Sequence, residues 1–189
     1  MNKRMMKMAM ASALMLLMMA ATSNAKTKAQ KQAAVRQRAN QALAQLYKVR
    51  PSARASIKAA AGYAAFSNFG MKILIAGGGK GSGLAIDNVT KKATYMKMVE
   101  VQAGLGMGVK KFSTIFVFET KDAMNQFVDS GWEFGGQATA AAKTGDSGGA
   151  YQGAVSVMPG VWMYQLTEKG LALELTGKGT KYYKDKDLN

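Results

Sequence analysis

The sequence predicts an α+β domain: a mostly antiparallel β-sheet, sandwich- or barrel-like, with two N-terminal helices and one helix inserted between strands. Three observations carry that prediction. Apolar residues recur at spacings of three and four as far as Ala61. After Gly62 the period changes to two, broken by short turn-like clusters. A single further helical pattern, Lys121 to Ser130, interrupts the strands, with Ala123, Met124, Phe127 and Val128 on one face.

Taken in order, Lys26 to Lys48 reads as the first helix. Val35, Ala39, Ala42, Leu43, Leu46 and Tyr47 form its apolar stripe, and Lys31, Arg36, Arg38 and Lys48 lie outside it. The stripe is alanine-rich and lacks Trp and Phe, so it is expected to cover the core rather than insert at an interface. Pro51 ends this helix, because the residue before a proline is biased away from helix. Ser52 to Ala61 is a second short helix, with Ala53, Ile57, Ala60 and Ala61 inward and Arg54 and Lys58 outward. Strands are expected at Tyr63–Phe66, Lys72–Ala76, Gly81–Ile86, Ala93–Val109, Ser113–Glu119 and Glu133–Ala142. A turn falls at Asp87–Thr90, and a loop at Thr144–Gly149. A hairpin closes the pattern: Val161–Leu166, a Thr167–Gly170 turn, then Leu171–Thr176. The stretch Lys181–Asp187 reads as a solvated last strand or tail.

Residues 1–25 carry a different message. Lys3, Arg4 and Lys7 precede the apolar run Met8–Ala21, and Ser23-Asn24-Ala25 offers small residues for cleavage. This is the layout of a secretory signal peptide, and the run is too short for a spanning helix. Export to a periplasmic or extracellular location is therefore expected, with no lipobox cysteine and so no lipid anchor. Removing 25 of the 189 residues leaves a 164-residue chain, 26–189, which fits one domain. The net charge falls from +15 to +12, because three basic residues and no acid are lost. Eight of the 15 methionines also lie in that segment, which removes most of the support for a thioether metal site.

Charge and missing residue types bound the function. There is no Asp or Glu before Asp87, while Lys and Arg recur throughout. An unopposed cationic segment favours phosphate-bearing surfaces. The sequence has no cysteine, so packing rather than disulfides must stabilise it. It also has no histidine. The commonest general base and metal ligand are thus unavailable, and Ser-His-Asp, Cys-His and His-zinc chemistry are excluded. No enzyme, metal or cofactor is expected.

Glycines alternate at Gly77, Gly79, Gly81 and Gly83, and again at Gly104, Gly106 and Gly108. In an extended strand such spacing gives a face without side chains, open to close approach or to strong curvature. The segment Ala76–Gly83 is not a phosphate loop. Lys80 is followed by Gly81, and position 74 is Leu where that motif needs glycine. Asn88-Val89-Thr90 matches a glycosylation sequon in a turn. Trp132 and Trp162 read as core or core-edge residues.

Several segments in sequence carry a resemblance: Leu46-Tyr47-Lys48, Pro51-Ser52-Ala53-Arg54, Gly62–Phe66, the alternating glycines of Gly77–Gly83, Phe116–Phe127 and Gly131-Trp132-Glu133-Phe134-Gly135. In order and spacing, over about residues 38–179, the chain resembles the SYLF domain family. Ser67 departs from the family's usual proline. The resemblance implies a non-enzymatic, lipid-binding module, one whose eukaryotic members bind phosphoinositide membranes through a basic N-terminal segment and in some cases actin.

Two function classes follow. In the first, an exported protein associates with an anionic phospholipid or membrane surface through Lys28, Lys31, Arg36, Arg38, Lys48, Arg50, Arg54 and Lys58, joined by Lys72 and Lys80. In the second, an envelope structural or interaction protein binds a protein or an anionic polysaccharide. Nucleic acid is not expected as a partner, because no aromatic residues interleave the basic ones.

Overall fold

The structure is a computed structural model that describes residues 26–73, 76–103, 108–134, 149–168, 170–171 and 178–189. The expected signal peptide lies outside these residues. So do Gly104, Gly106, the loop at 144–148 and most of the expected last hairpin strand.

The first helix, α1 (Lys28–Val49), starts on a capping box. Gln30 N–H donates to Thr27 Oγ1 at 3.2 Å, and Thr27 N–H donates to Gln30 Oε1 at 2.9 Å. It ends at Arg50, before Pro51. Val35, Ala39, Ala42, Leu43 and Leu46 are buried, as their spacing predicts. Helix α2 (Ala53–Ala59) follows, burying Ala53, Ser56 and Ile57. Asn88 Nδ2 donates to the carbonyls of Ile57 at 2.6 Å and Ala60 at 2.8 Å, closing its C-terminal end. The nitrogen that a glycan would modify is thus already committed within the fold.

The strands are β1 (Gly62–Ile73), β2 (Ala76–Asp87), β3 (Ala93–Ala103), β4 (Gly108–Phe118), β5 (Trp132–Phe134), β6 (Val155–Met158), β7 (Val161–Thr167), β8 (Gly170–Leu171) and β9 (Lys178–Lys184). Helix α3 (Lys121–Ser130) lies between β4 and β5, within its predicted bounds, and Thr120 caps its start. One antiparallel sheet runs β5-β9-β3-β2-β1-β4-β7-β6, with β8 paired to β7. It curls into a half-barrel, so the α+β class and the barrel-like sheet expected from sequence are both present.

Boundaries differ from expectation in four places. Tyr63–Phe66 and Lys72 belong to one twelve-residue strand, β1. Ser67 and Asn68 look like a break, but Asn68 is buried and donates to Thr114 Oγ1 at 3.1 Å. Strand β2 begins at Ala76 rather than Gly81, because ladder bonds to β1 and β3 hold the glycine run extended. The expected strand Ala93–Val109 divides between β3 and β4. The expected last strand at Lys181–Asp187 is present as part of β9, but it is only partly solvated: Tyr182 and Asp185 are buried.

The sheet separates two cores. Beneath α1 and α2, Ala65, Leu84, Tyr95, Ile115, Tyr164 and Leu166 pack against the helical stripe. On the opposite face an aromatic cluster gathers around α3. Phe127 sits 5.2 Å from Phe116, 5.1 Å from Phe118 and 5.1 Å from Trp132, centroid to centroid. These edge-on and tilted contacts add to the area buried. Trp162 lies on the other face, stacked on Tyr151 at 5.0 Å.

The alternating glycines of β2 have a local purpose. Phe66 faces Gly83 and Asn68 faces Gly81 across the β1–β2 register. A Cβ at position 83 would stand 2.6 Å from Phe66 Cδ1, and one at position 81 would stand 2.9 Å from Asn68 Cγ. The bare face therefore receives side chains of its own sheet.

Candidate functional site: a basic groove beside the first helix

Helix α1 crosses several strands, and its polar flanks reach down on either side. Arg36 Nη2 donates to Tyr95 Oη at 3.3 Å on one flank. Arg38 Nη2 donates to Ser82 Oγ at 3.1 Å on the other. Beyond Arg38 the sheet continues without helical cover. A groove of about 510 Å³ opens there, lined by Arg38, Ser67, Lys80, Ser82, Lys97 and Val99, among others.

The groove is cationic, though unevenly so. Lys97 Nζ lies 2.9 Å from both Asp185 Oδ1 and Asp187 Oδ2. Hydrogen bonds to these carboxylates raise the Lys97 ammonium to about 12. The same contact, first through its hydrogen bond, lowers the Asp187 carboxyl. Lys97 is therefore neutralised locally. Lys80 and, further along the sheet, Lys111 are exposed and have no carboxylate partner among the described residues. Arg38 and Lys80 supply the groove's free positive charge, and the hydroxyls of Ser67 and Ser82 lie beside them.

The other basic candidates scatter. Lys28 Nζ donates to the Asn189 carbonyl at 2.7 Å, so it ties the start of α1 to residue 189. The Arg54 guanidinium sits over the Tyr47 ring, 4.4 Å from its centroid. Arg50 is half-buried against Gly153, donates to Gln152 Oε1 at 3.3 Å and leaves its Nε without a partner. Lys31, Lys48 and Lys58 are exposed. Lys72 lies in β1, and its side chain is outside the described residues. The structure thus brings Arg38 and Lys80 together and does not gather the rest into one face. Of the glycines, Gly79 is approached by Phe69 O and Glu100 Cβ, at 3.1 and 3.2 Å from an added Cβ, and Gly108 is open. Sequence reasoning had not singled out Lys111 or the two serines. Their spacing carries no motif, and only the strand register places them near Lys80.

Among the described residues no group of three or more His, Cys, Asp or Glu could hold a metal, and no helix is long and apolar enough to cross a membrane. A curled antiparallel sheet carrying a basic helix and an open cationic groove defines an α+β binding module. The chain belongs to the SYLF family: residues 99–189 match the family model described as Ysc84, Las17-binding protein actin regulator. That stretch holds β4, α3 and the Gly131–Phe134 segment but not the Leu46–Phe66 segments of the expected resemblance. Over 167 residues the chain is 32% identical to beta cell expansion factor A of Aeromonas veronii, covering 87% of this chain. The chain spans 61% of that protein's length. The family is associated with lipid and actin binding and is not a known enzyme family.

Proposed function

We propose that this chain is an exported, non-enzymatic protein that associates reversibly with anionic phospholipid surfaces through Arg38 of its basic first helix and the groove beside it. The observation that carries this reading is the convergence of Arg38 and Lys80 from separate elements on one groove with two hydroxyls. Anionic headgroups offer the matching charge, and each cation near such a surface contributes roughly 1 kcal/mol. Family membership supports the same reading, and the layout of residues 1–25 supports export to a periplasmic or extracellular location.

Flotation with vesicles of phosphatidylglycerol and phosphatidylcholine, against phosphatidylcholine alone, tests it. Binding to the anionic vesicles only, weakened by salt, is the expected result. Equal binding to both, or none at either salt level, overturns it. One observation favours a second reading, a protein partner: the matched family model is described as a Las17-binding actin regulator. A pull-down from lipid-free envelope extract that retains a specific protein, with no vesicle binding, would move the assignment there.

A further inference from the structure

We propose that the domain seats on an anionic bilayer with the uncovered half of its α1-bearing sheet face, placing Phe69, Met71, Val99 and Val101 at the acyl boundary and Arg38, Lys80 and Lys111 at the phosphates. This rests on the lipid-binding reading above and specifies its surface.

The register places these residues on one face. Ala65, under α1, is followed on the same side of β1 by Ser67, Phe69 and Met71. Phe69 pairs with Lys80 on β2 and Lys111 on β4, and Lys80 pairs with Val99 on β3. One rung further, Met71 pairs with Gly78, and Gly78 with Val101. The apolar side chains are exposed: Phe69 39%, Met71 46%, Val99 39% and Val101 69%.

The alternation is inverted at two places on these strands. Two neighbours on the opposite face are buried and polar, Asn68 between Ser67 and Phe69 and Glu100 between Val99 and Val101, while Met98 and Phe112 on that face are buried and apolar. A sheet with one face in water normally turns apolar residues in and polar ones out. Polar-in and apolar-out is the pattern of strands facing lipid.

Charge selects the occupant. Lys80 lies between Phe69 and Val99, and Lys111 lies beyond Phe69, neither with a carboxylate partner among the described residues. Of the acids nearby, Asp185 and Asp187 are engaged with Lys97 and Glu133 with Lys181 at the β9 margin, while Glu168 lines a pocket with Lys111 without an ion pair to it. Apolar residues interleaved with cations, whose long stems let the ammonium reach the phosphates, fit a headgroup layer over acyl chains. A second copy of this face would set Lys80 and Lys111 against like charges. The stripe of α1 is not available for insertion, because it is buried on the sheet.

The sequence has no cysteine, so Val101→Cys and Lys58→Cys each give one labelling site for an environment-sensitive fluorophore in the full chain. With phosphatidylglycerol-containing vesicles, emission at position 101 shifts to the blue and emission at position 58 does not. The double variant Lys80→Ala with Lys111→Ala lowers vesicle affinity on the order of tenfold, whereas Lys48→Ala with Lys58→Ala changes it less than about twofold. Circular dichroism checks that each variant is folded. Vesicle binding with no shift at position 101 overturns this surface and leaves the lipid-binding reading intact. A dimer that shields position 101 while vesicles leave its emission unchanged also overturns it. No binding by the unaltered protein overturns both.

Discussion

The ring of Phe66 occupies the space that a side chain at Gly83 would need, at a paired position of β1 and β2. Phe66 is fully buried and touches Phe116, Phe127 and Tyr182 in the aromatic core. The bare strand is thus what lets a large ring lie flat on its own sheet. Gly83→Ala is expected to destabilise the fold by about 1–3 kcal/mol through overpacking. Urea denaturation followed by circular dichroism reads this directly, and an unchanged midpoint would show that both the Phe66 ring and the Ala65 carbonyl beside it have room to move.

Asn88 gives a second prediction. Its amide satisfies two carbonyls at the end of α2, and Asn88→Ala leaves both without that donor. A loss of about 1–3 kcal/mol is expected. Asn88→Asp, which keeps size but removes the donor, should lose a similar amount. Retention of full stability by both would mean that water replaces the amide.

The clamp on Lys97 predicts pH dependence at both ends of the scale. Lys97 is raised to about 12, so its contribution is complete below its unfolded value, near 10.4, and is lost as pH rises toward 12. Asp187 is lowered, so its contribution is present above the ordinary carboxylate range and is lost as pH falls below it. The amide protection factors of residues 185–189 should therefore fall in acid before those of the β1–β4 amides do. In Lys97→Met that acid-dependent difference should shrink. Equal loss of protection in both proteins would remove the clamp as its cause.

Leu46, on α1, is fully buried beneath the helix. Leu46→Ala should cost about 2–5 kcal/mol by leaving a cavity between α1 and the sheet. A thermal melt measures it. A loss below about 0.5 kcal/mol would mean that α1 rests only loosely on the sheet, contrary to its buried stripe.

The helices were legible because their signals are local. The α1 stripe repeats over several turns, and Pro51 marks its end. Helix α3 carries four apolar residues at helical spacing after a Thr120 cap. Strands β1 and β2 were legible only in part. Asn68 is polar yet buried, and the glycines have no side chains from which to read alternation. Strand β6 was missed, since Val155 to Met158 is too short to establish a period. The last strand was legible but its burial was not, because Lys and Asp dominate it, while Tyr182, Asp185 and Leu188 take their burial from β3, β5 and α1. Of the groove, Arg38 and Lys80 were each visible as cations. Their meeting depends on where α1 stops covering the sheet, and that is fixed by packing between distant segments.

Strand β1 serves two cores at once. Ala65 faces the helices, and Phe66 faces the aromatic cluster. A slip of one residue would send Phe66 into the core beneath α1, where Ala65 now places a methyl group, and would leave a hole among the rings. Each face therefore proofreads the other's strand pairing. A mispaired hairpin cannot persist by satisfying one core alone, and the glycine-rich β2, the strand with the fewest side chains to set its own register, inherits its alignment from this check.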